Sequence, residues 1–484
     1  MRLWTIGIVT GALLLFAVQV FLFGGYTREL TSLTDQVSQS RDLHQQLRNA
    51  LESNANLSRL FTRLNLQLGD ILGDDSTGQE EHLERDTKAA LRGSSQILGS
   101  SEAQISQSLA QPQQRKIYPS GNEAEACVGG AHNVKGVVAA VVTVAFNRPD
   151  YLQRHVASVL SVHGSDPANR RKFPLFISQD GSPVHEATQQ QAQSYEEVSY
   201  LHHKELIKPV TKTDKLWDKI AYYRIANHYR WIFQTMFECF QYPRLIILED
   251  DMELAPDFFP YFEALAPVLD QDDRLLCISS WNDHGQEQFV KDTRRLFRTD
   301  FFPGLGWMLR RQLWEQELRA GWPEAFWDDW LRDNRTRQGR HCIAPEVCRN
   351  YNFGKEGSSK GQYFYMFLAP TRLNDDAVPW PEMDLSYLQL PRFDEELEAT
   401  LNAAPAADTV AEAQGWIGDV QLYYHTQEHF EALAKALGIM KEWRDGVPRA
   451  AYKGVVTIQF QDARIFIAPS PELRSSMQEG INHA

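Results

Sequence analysis

Basic residues are in short supply. The 484-residue chain carries 49 lysines and arginines against 63 acids, a net charge of −14. A nucleic-acid binder needs a basic footprint that displaces counterions from phosphates, so this balance argues against a nucleic-acid partner, local basic patches aside. Cysteine is scarce as well. Five residues are too few for a disulfide framework and leave room for a bridge or two. Hydrophobic residues at 43% and charged residues at 23% give an ordinary globular balance, and the length is enough for more than one domain.

Charge is missing altogether from residues 3–23. That stretch is long enough to cross a bilayer core as a helix. It exceeds the apolar region of a cleaved signal peptide, and Gly24-Gly25-Tyr26-Thr27 offers no clean cleavage site. The expectation is a retained transmembrane signal-anchor with residues 1–2 as a cytoplasmic tail and the rest on the far side, a single-pass type II topology. Tryptophan is absent from residues 26–130. There Leu30, Leu33, Val37, Leu47 and Leu51 share a heptad register broken by Ser40, His44 and Asn54. A second apolar stripe runs from Leu57 through Leu60, Phe61, Leu64 and Leu68 to Ile71. The helical period predicts a stem, and the broken register argues against a long coiled coil, with stem-mediated self-association as the lesser alternative.

The composition changes at Val137. Residues 137–146 form a continuous β-branched and apolar run, as in a strand buried on both faces. The pattern then predicts helix over 151–162, strands over 173–178 and 198–202, and helix over 217–237. A strand over 245–248, a helix after Pro256 and a strand over 275–279 follow. Strands alternating with helices imply a mostly parallel α/β sheet, whose ligands sit beyond the carboxyl ends of the strands. The polar groups there are Asn147-Arg148, Gln179-Asp180, Glu249-Asp250-Asp251 and Trp281-Asn282-Asp283. After about residue 400, strands over 420–424, 455–460 and 464–467 predict a small C-terminal α+β domain spanning 400–484, behind a catalytic domain spanning 131–400.

Three stretches carry chemistry. Glu249-Asp250-Asp251 directly follow an apolar strand, and three adjacent acids repel one another unless a cation joins them. Such oxygen-rich sites suit Mg²⁺ or Mn²⁺, which can bridge a diphosphate; the plainer alternative is an acidic loop capping the next helix. In Ala325-Phe326-Trp327-Asp328-Asp329-Trp330 two carboxylates lie between indoles, a setting that suits a general base and sugar rings. A helix N-terminus favouring acids is the alternative. Residues 353–361 hold three glycines within a short span, as in a mobile lid over a diphosphate, but lack the Gly-Lys-Ser/Thr ending of a Walker loop. His228 shares a helical stripe with Ala221, Ile225 and Ile232, which reads as an inward core histidine. Sequons occur at Asn56-Leu57-Ser58 and Asn334-Arg335-Thr336.

From about residue 137 to 469 these motifs, in this order, resemble the N-acetylglucosaminyltransferase I family, glycosyltransferase family 13. The most specific segments are LEDDMELAPDFF at 248–259, RTDFFPGLGW at 298–307, AFWDDW at 325–330 and GVPRA at 446–450. The resemblance implies a GT-A fold, UDP-GlcNAc as donor, Mn²⁺ as cofactor and inversion at the anomeric carbon. It implies Asp251 as the direct protein ligand to the metal and Asp328 as the base. It implies Glu249 and Asp250 on the donor's sugar and ribose, and Arg148, Asp180 and His228 on the nucleotide. Ser358 and Ser359 fall in the loop that closes over the diphosphate. Cys277 and Cys342 match a family disulfide; the positions of a second family bridge are Phe146 and Gly181 here, which leaves Cys127, Cys239 and Cys348 unassigned.

The expected activity is β-1,2 transfer of GlcNAc to the α-1,3-linked mannose of a five-mannose N-glycan on glycoproteins, at the Golgi membrane with the catalytic domain lumenal. The alternatives are transfer of GlcNAc to O-linked mannose, a catalytically silent Golgi lectin on the same scaffold, and a coiled-coil tether. The stem lacks the aromatics of an extra globular domain, the acids Asp251 and Asp328 are both present, and about 350 globular residues follow the stem. Each of these features weighs against one alternative.

Overall fold

The computed structural model describes residues 131–204, 219–358 and 361–482, with 477–482 described by backbone alone. The expected anchor, the stem, Asn56, Cys127 and Ser359 lie outside the described residues. Among the described residues no helix is long and apolar enough to cross a membrane.

The first half of the main sheet follows the β-branched runs. Strands β1 (Ala140–Ala145), β2 (Leu175–Asp180), β3 (Val198–His203) and β4 (Arg244–Glu249) lie parallel in the order β3-β2-β1-β4. Helices α1 (Pro149–His163), α2 (Glu186–Gln193) and α3 (Ile220–Phe233) connect them. Both faces are covered, and alternate residues enter different cores. Ala140, Val142, Leu245 and Ile247 pack with Phe233, Trp307 and Trp314 on one side. Val141, Ile246 and Leu248 pack with Phe258, Phe259 and Phe262 on the other. This is the period-two geometry of a strand with two apolar faces.

Beyond β4 the sheet departs from the expected mostly parallel form. The following elements are β5 (Met252–Leu254), α4 (Phe258–Gln271), β6 (Leu275–Ser279), β7 (Leu296–Thr299), β8 (Trp307–Arg310), α5 (Trp327–Arg332), β9 (His341–Pro345) and β10 (Asn350–Asn352). The eight-stranded order is β3-β2-β1-β4-β8-β6-β9-β7. Strand β8 runs antiparallel to both β4 and β6, β9 is parallel to β6, and β7 is antiparallel to β9. The reversal follows a turn through Gly304 and Gly306, at φ 71° and 75°, a conformation that glycine adopts without a Cβ penalty. A Cβ on Gly306 would also stand 2.3 Å from Ser280 Oγ. Outside this sheet, β5 and β10 form a two-stranded antiparallel ribbon.

The C-terminal region has its own core. It contains α6 (Arg392–Ala403), β11 (Ala406–Ala407), β12 (Gly418–Tyr424), α7 (Gln427–Leu437), β13 (Trp443–Arg444), β14 (Val447–Pro448), β15 (Val456–Phe460), β16 (Ala463–Pro469) and α8 (Pro471–Asn482). The sheet order is β11-β12-β16-β15, with the β15–β16 hairpin turning through Gln461 at φ 52°. Helix α7 starts at the Thr426 cap, which accepts from His429 N, and stops at Gly438 with φ 81°. Its Phe430, Ala434 and Leu437 pack on Val420, Leu422 and Ile465. Helix α6 lies across the expected boundary at 400, with Leu401 packed on Val455 and Phe466.

Candidate active site

Strand β4 delivers three acids to one place. Leu245 to Leu248 are fully buried, so the strand end is fixed by its core, and Glu249, Asp250 and Asp251 emerge at the carboxyl edge of the sheet. Their side chains then diverge. Glu249 accepts a hydrogen bond from Tyr229 Oη at 3.2 Å. Asp250 and Asp251 turn to Arg148, at the end of β1, which ion-pairs with Asp250 and lies 2.9 Å from Asp251 Oδ2. Asp251 Oδ1 also accepts from Asn352 Nδ2 at 3.1 Å. The second oxygen of Asp250 is buried without a hydrogen-bond partner. Burial, reinforced by the charge of Asp251, pushes Glu249 up to about 7. Burial likewise lifts Asp250 to about 7 against the pull of Arg148, and raises Asp251. Arg148 alone does not neutralise three carboxylates.

The β5–β10 ribbon brings the glycine-rich loop against this cluster. Phe353 N donates to the Asp251 carbonyl at 2.9 Å, and Arg148 donates to the Glu356 carbonyl. A Cβ on Gly354 would stand 2.2 Å from Asp251 Oδ2, so this position must lack one. Ser358 is exposed at the end of the described part of the loop.

Asp180 and His228 are linked through His203. Asp180 ends β2 and accepts from His203 Nδ1 at 2.8 Å, and His203 stacks on His228 with centroids 5.3 Å apart. His228 itself is buried, with Nε2 2.7 Å from Ser178 Oγ, and burial pushes its imidazole down to about 3. It is therefore a neutral ring beneath the strand ends, as the helical stripe predicted.

Asp328 lies in the first turn of α5, behind Phe326, which takes a left-handed φ of 54° and stacks on Tyr222. The two indoles do not enclose the acids between them. Trp327 turns into the core and stacks on Tyr229 at 4.3 Å, while Asp328 and Asp329 remain 43% and 38% exposed and share Arg332 Nη1 at 2.7 and 3.3 Å. The i, i+4 spacing from Asp328 and the i, i+3 spacing from Asp329 put Arg332 over both acids. Tyr229 thus touches Glu249 and the helix of Asp328 at once, a link that no sequence motif announced.

Cys277 and Cys342, the pair the resemblance joins, are buried thiols facing each other in register on β6 and β9. Burial, with the Cys342 contact, pushes the Cys277 thiol well above its ordinary range. Cys239 is disulfide-bonded, with its partner outside the described residues, and Cys348 is a buried thiol. At the lost second bridge, the Phe146 ring lies 2.9 Å from where a Gly181 Cβ would stand, so ring packing occupies that contact. Asn334 is exposed. Trp281 and Asp283, beyond β6, are buried and paired with each other at 3.2 Å, so they support structure there.

Fold and site together define an α/β protein with an under-neutralised acidic strand end, a glycine loop over it and a half-exposed carboxylate nearby. The GNT-I family matches residues 74–481, and the chain belongs to that family. A curated relative, the alpha-1,3-mannosyl-glycoprotein 2-beta-N-acetylglucosaminyltransferase of Arabidopsis thaliana, is 47% identical over 350 residues, 72% of this chain and 77% of the relative. Solved structures are more distant. A mannosyltransferase from Pyrobaculum calidifontis, in complex with GDP-Man and Mn²⁺, is 14% identical with a TM-score of 0.30, covering 58% of this chain and 82% of its own. Mouse xyloside xylosyltransferase 1 in its apo form is 10% identical with a TM-score of 0.24, covering 52% and 83%. Likenesses that slight carry no argument about this site.

Proposed function

We propose that this glycosyltransferase moves N-acetylglucosamine from UDP-GlcNAc, with inversion, onto the 2-hydroxyl of the α-1,3-linked mannose of a five-mannose N-glycan. The observation that carries the reading is the cluster of three carboxylates at the end of β4, two of them buried and paired with Arg148. The activity printed for the 47% identical relative points the same way. A GT-A type of donor site is part of the proposal.

A divalent cation, Mn²⁺ by family resemblance, fits this chemistry. Among the described residues no three ligating side chains converge to hold a metal by themselves. Asp251 would be the residue that holds it, as the resemblance implies. The unpartnered Asp250 oxygen and the cradle at Gly354 leave the local charge and space such a cation needs. When bound it supplies positive charge to a departing diphosphate. Arg148 adds a fixed guanidinium on the same side, and the backbone of residues 353–358 closes over it. Glu249, oriented by Tyr229, offers an acceptor oxygen to donor hydroxyls. Asp180 and His203, steadied by stacking on His228, form the base- and ribose-facing rim. Asp328 takes the proton from the acceptor hydroxyl as its oxygen attacks the anomeric carbon, and Arg332 holds the carboxylate for that transfer. A type II anchor at 3–23 belongs to the same proposal and rests on the apolar N-terminal stretch, while the Golgi membrane and a lumenal catalytic region are what the family resemblance implies.

The test uses the chain from residue 26 onward with UDP-GlcNAc, Mn²⁺ and a five-mannose glycan, with and without EDTA. The expected product carries a new β-1,2 linkage and vanishes with EDTA. Transfer to an O-mannosyl peptide instead would favour the O-mannose reading, and glycan binding without turnover would favour a lectin.

A further inference from the structure

One short ribbon of the C-terminal region reaches the helix of Asp328. Arg444 on β13 lies 3.2 Å from Asp329 Oδ2, with the two side chains 50% and 38% exposed. Arg332 is fixed independently. Its Nε donates to the Phe302 carbonyl at 3.1 Å, and its guanidinium lies 5.0 Å over the Phe301 ring. Its Nη1 is the contested donor, 2.7 Å from Asp328 and 3.3 Å from Asp329. The ribbon carrying Arg444 is pinned on both sides. Asn334 N donates to Asp445 Oδ2 at 2.6 Å, and Arg449, just past β14, pairs with Asp283 at 3.1 Å while lying 5.1 Å over the same Phe301 ring.

Two carboxylates thus compete for Arg332, and a cation from the C-terminal region engages one of them. We propose that Arg444 is a positioning residue for the base. By pairing with Asp329 it draws that carboxylate away from Arg332 and leaves the guanidinium to Asp328. The inference rests on the reading of Asp328 as the base. The charged and titratable groups that bear on the acid pair are Arg332 from α5, Arg444 and Arg449 with Glu442 from the ribbon, and Tyr229 from α3.

The consequence has a sign. Without Arg444, Asp329 takes a larger share of Arg332 and its own charge stands uncompensated beside Asp328. Both changes favour the protonated, inactive base, so the acid limb of kcat/KM moves to higher pH. For a half-exposed pair the shift should be about half a pH unit, or about threefold in kcat/KM on the acid side, and should shrink in high salt.

The experiment records kcat/KM against pH for the purified full chain and for Arg444→Met, Arg444→Lys, Asp329→Asn and the Arg444→Met/Asp329→Asn pair, with Asp328→Asn as reference. The expected result is an upward shift for Arg444→Met, rescue by Arg444→Lys, an unchanged melting midpoint, and no effect of Arg444→Met once Asp329 is Asn. Superimposable profiles for wild type and Arg444→Met overturn the inference. So does a shift that persists in the Asp329→Asn background, because Arg444 would then act without its partner. Near-normal turnover by Asp328→Asn overturns the underlying assignment of the base, whatever Arg444 does.

Discussion

The same isosteric change should act differently at Asp328 and Asp251. Asp328→Asn keeps the shape and the Arg332 contact but cannot accept a proton. Turnover should fall by roughly 10²–10⁴-fold while UDP-GlcNAc affinity, measured by calorimetry, stays nearly constant. Asp251→Asn should weaken metal-dependent donor binding as well as turnover, since its carboxylate stands where the cation would be held. Equal loss of donor binding in both variants would show that the roles are misassigned. Gly354 gives a steric counterpart. An added methyl would meet Asp251 Oδ2 at 2.2 Å, so Gly354→Ala must displace either the loop or the acid. Overpacking costs about 1–3 kcal/mol, and here it should be read as roughly tenfold or more weaker donor binding in a protein that still folds.

At the scale of elements, His155 ties the site together. It sits on α1, with Nε2 2.9 Å from Thr143 Oγ1 on β1 and Nδ1 2.6 Å from the Met252 carbonyl on β5. Burial pushes its imidazole down to about 4, so the folded chain holds it neutral while the unfolded chain protonates near 6.5. The unfolded state then binds more protons through that window. The stabilisation is full above pH 6.5 and is lost as pH falls towards 4, a matter of about 3 kcal/mol from this ring. His163, His228 and His284 are lowered by burial in the same way and add to the slope. Urea midpoints should therefore drop between pH 7 and pH 5, with a shallower drop in His155→Gln. An identical slope in that variant would remove His155 from the account.

At the scale of the whole molecule, the three cores described and the acidic site all lie after residue 130, while the expected anchor and stem precede it. Removing residues 1–25 should thus release a soluble, secreted protein with kcat/KM for UDP-GlcNAc within about twofold of the full chain, a change of under about 0.5 kcal/mol. A folded but inactive truncation would show that the N-terminal region contributes to the site. The C-terminal region is a different matter, because Arg444, Asp445 and Arg449 all contact the body that carries Asp328. Separating the two should impair turnover even where each part folds.

The sequence by itself determined the buried parallel strands, the acids at the end of β4 and the helical stripe that turns His228 inward. These are local facts: apolar runs, period-two and period-3.6 spacing, and a charge cluster directly after a strand. It also carried the resemblance from which Asp328, Arg148 and Asp180 were drawn. The tertiary structure alone decided what depends on distant partners. An apolar run such as Trp307–Arg310 reads the same in either direction, so the antiparallel sense of β8 emerged only from its pairing with β4 and β6. The exposure of Asp328 depended on which way Trp327 turned, and Tyr229 in the core drew that indole inward. The contest between Asp328 and Asp329 for one guanidinium, and the arrival of Arg444 from more than a hundred residues away, follow from packing between parts of the chain that no local pattern relates.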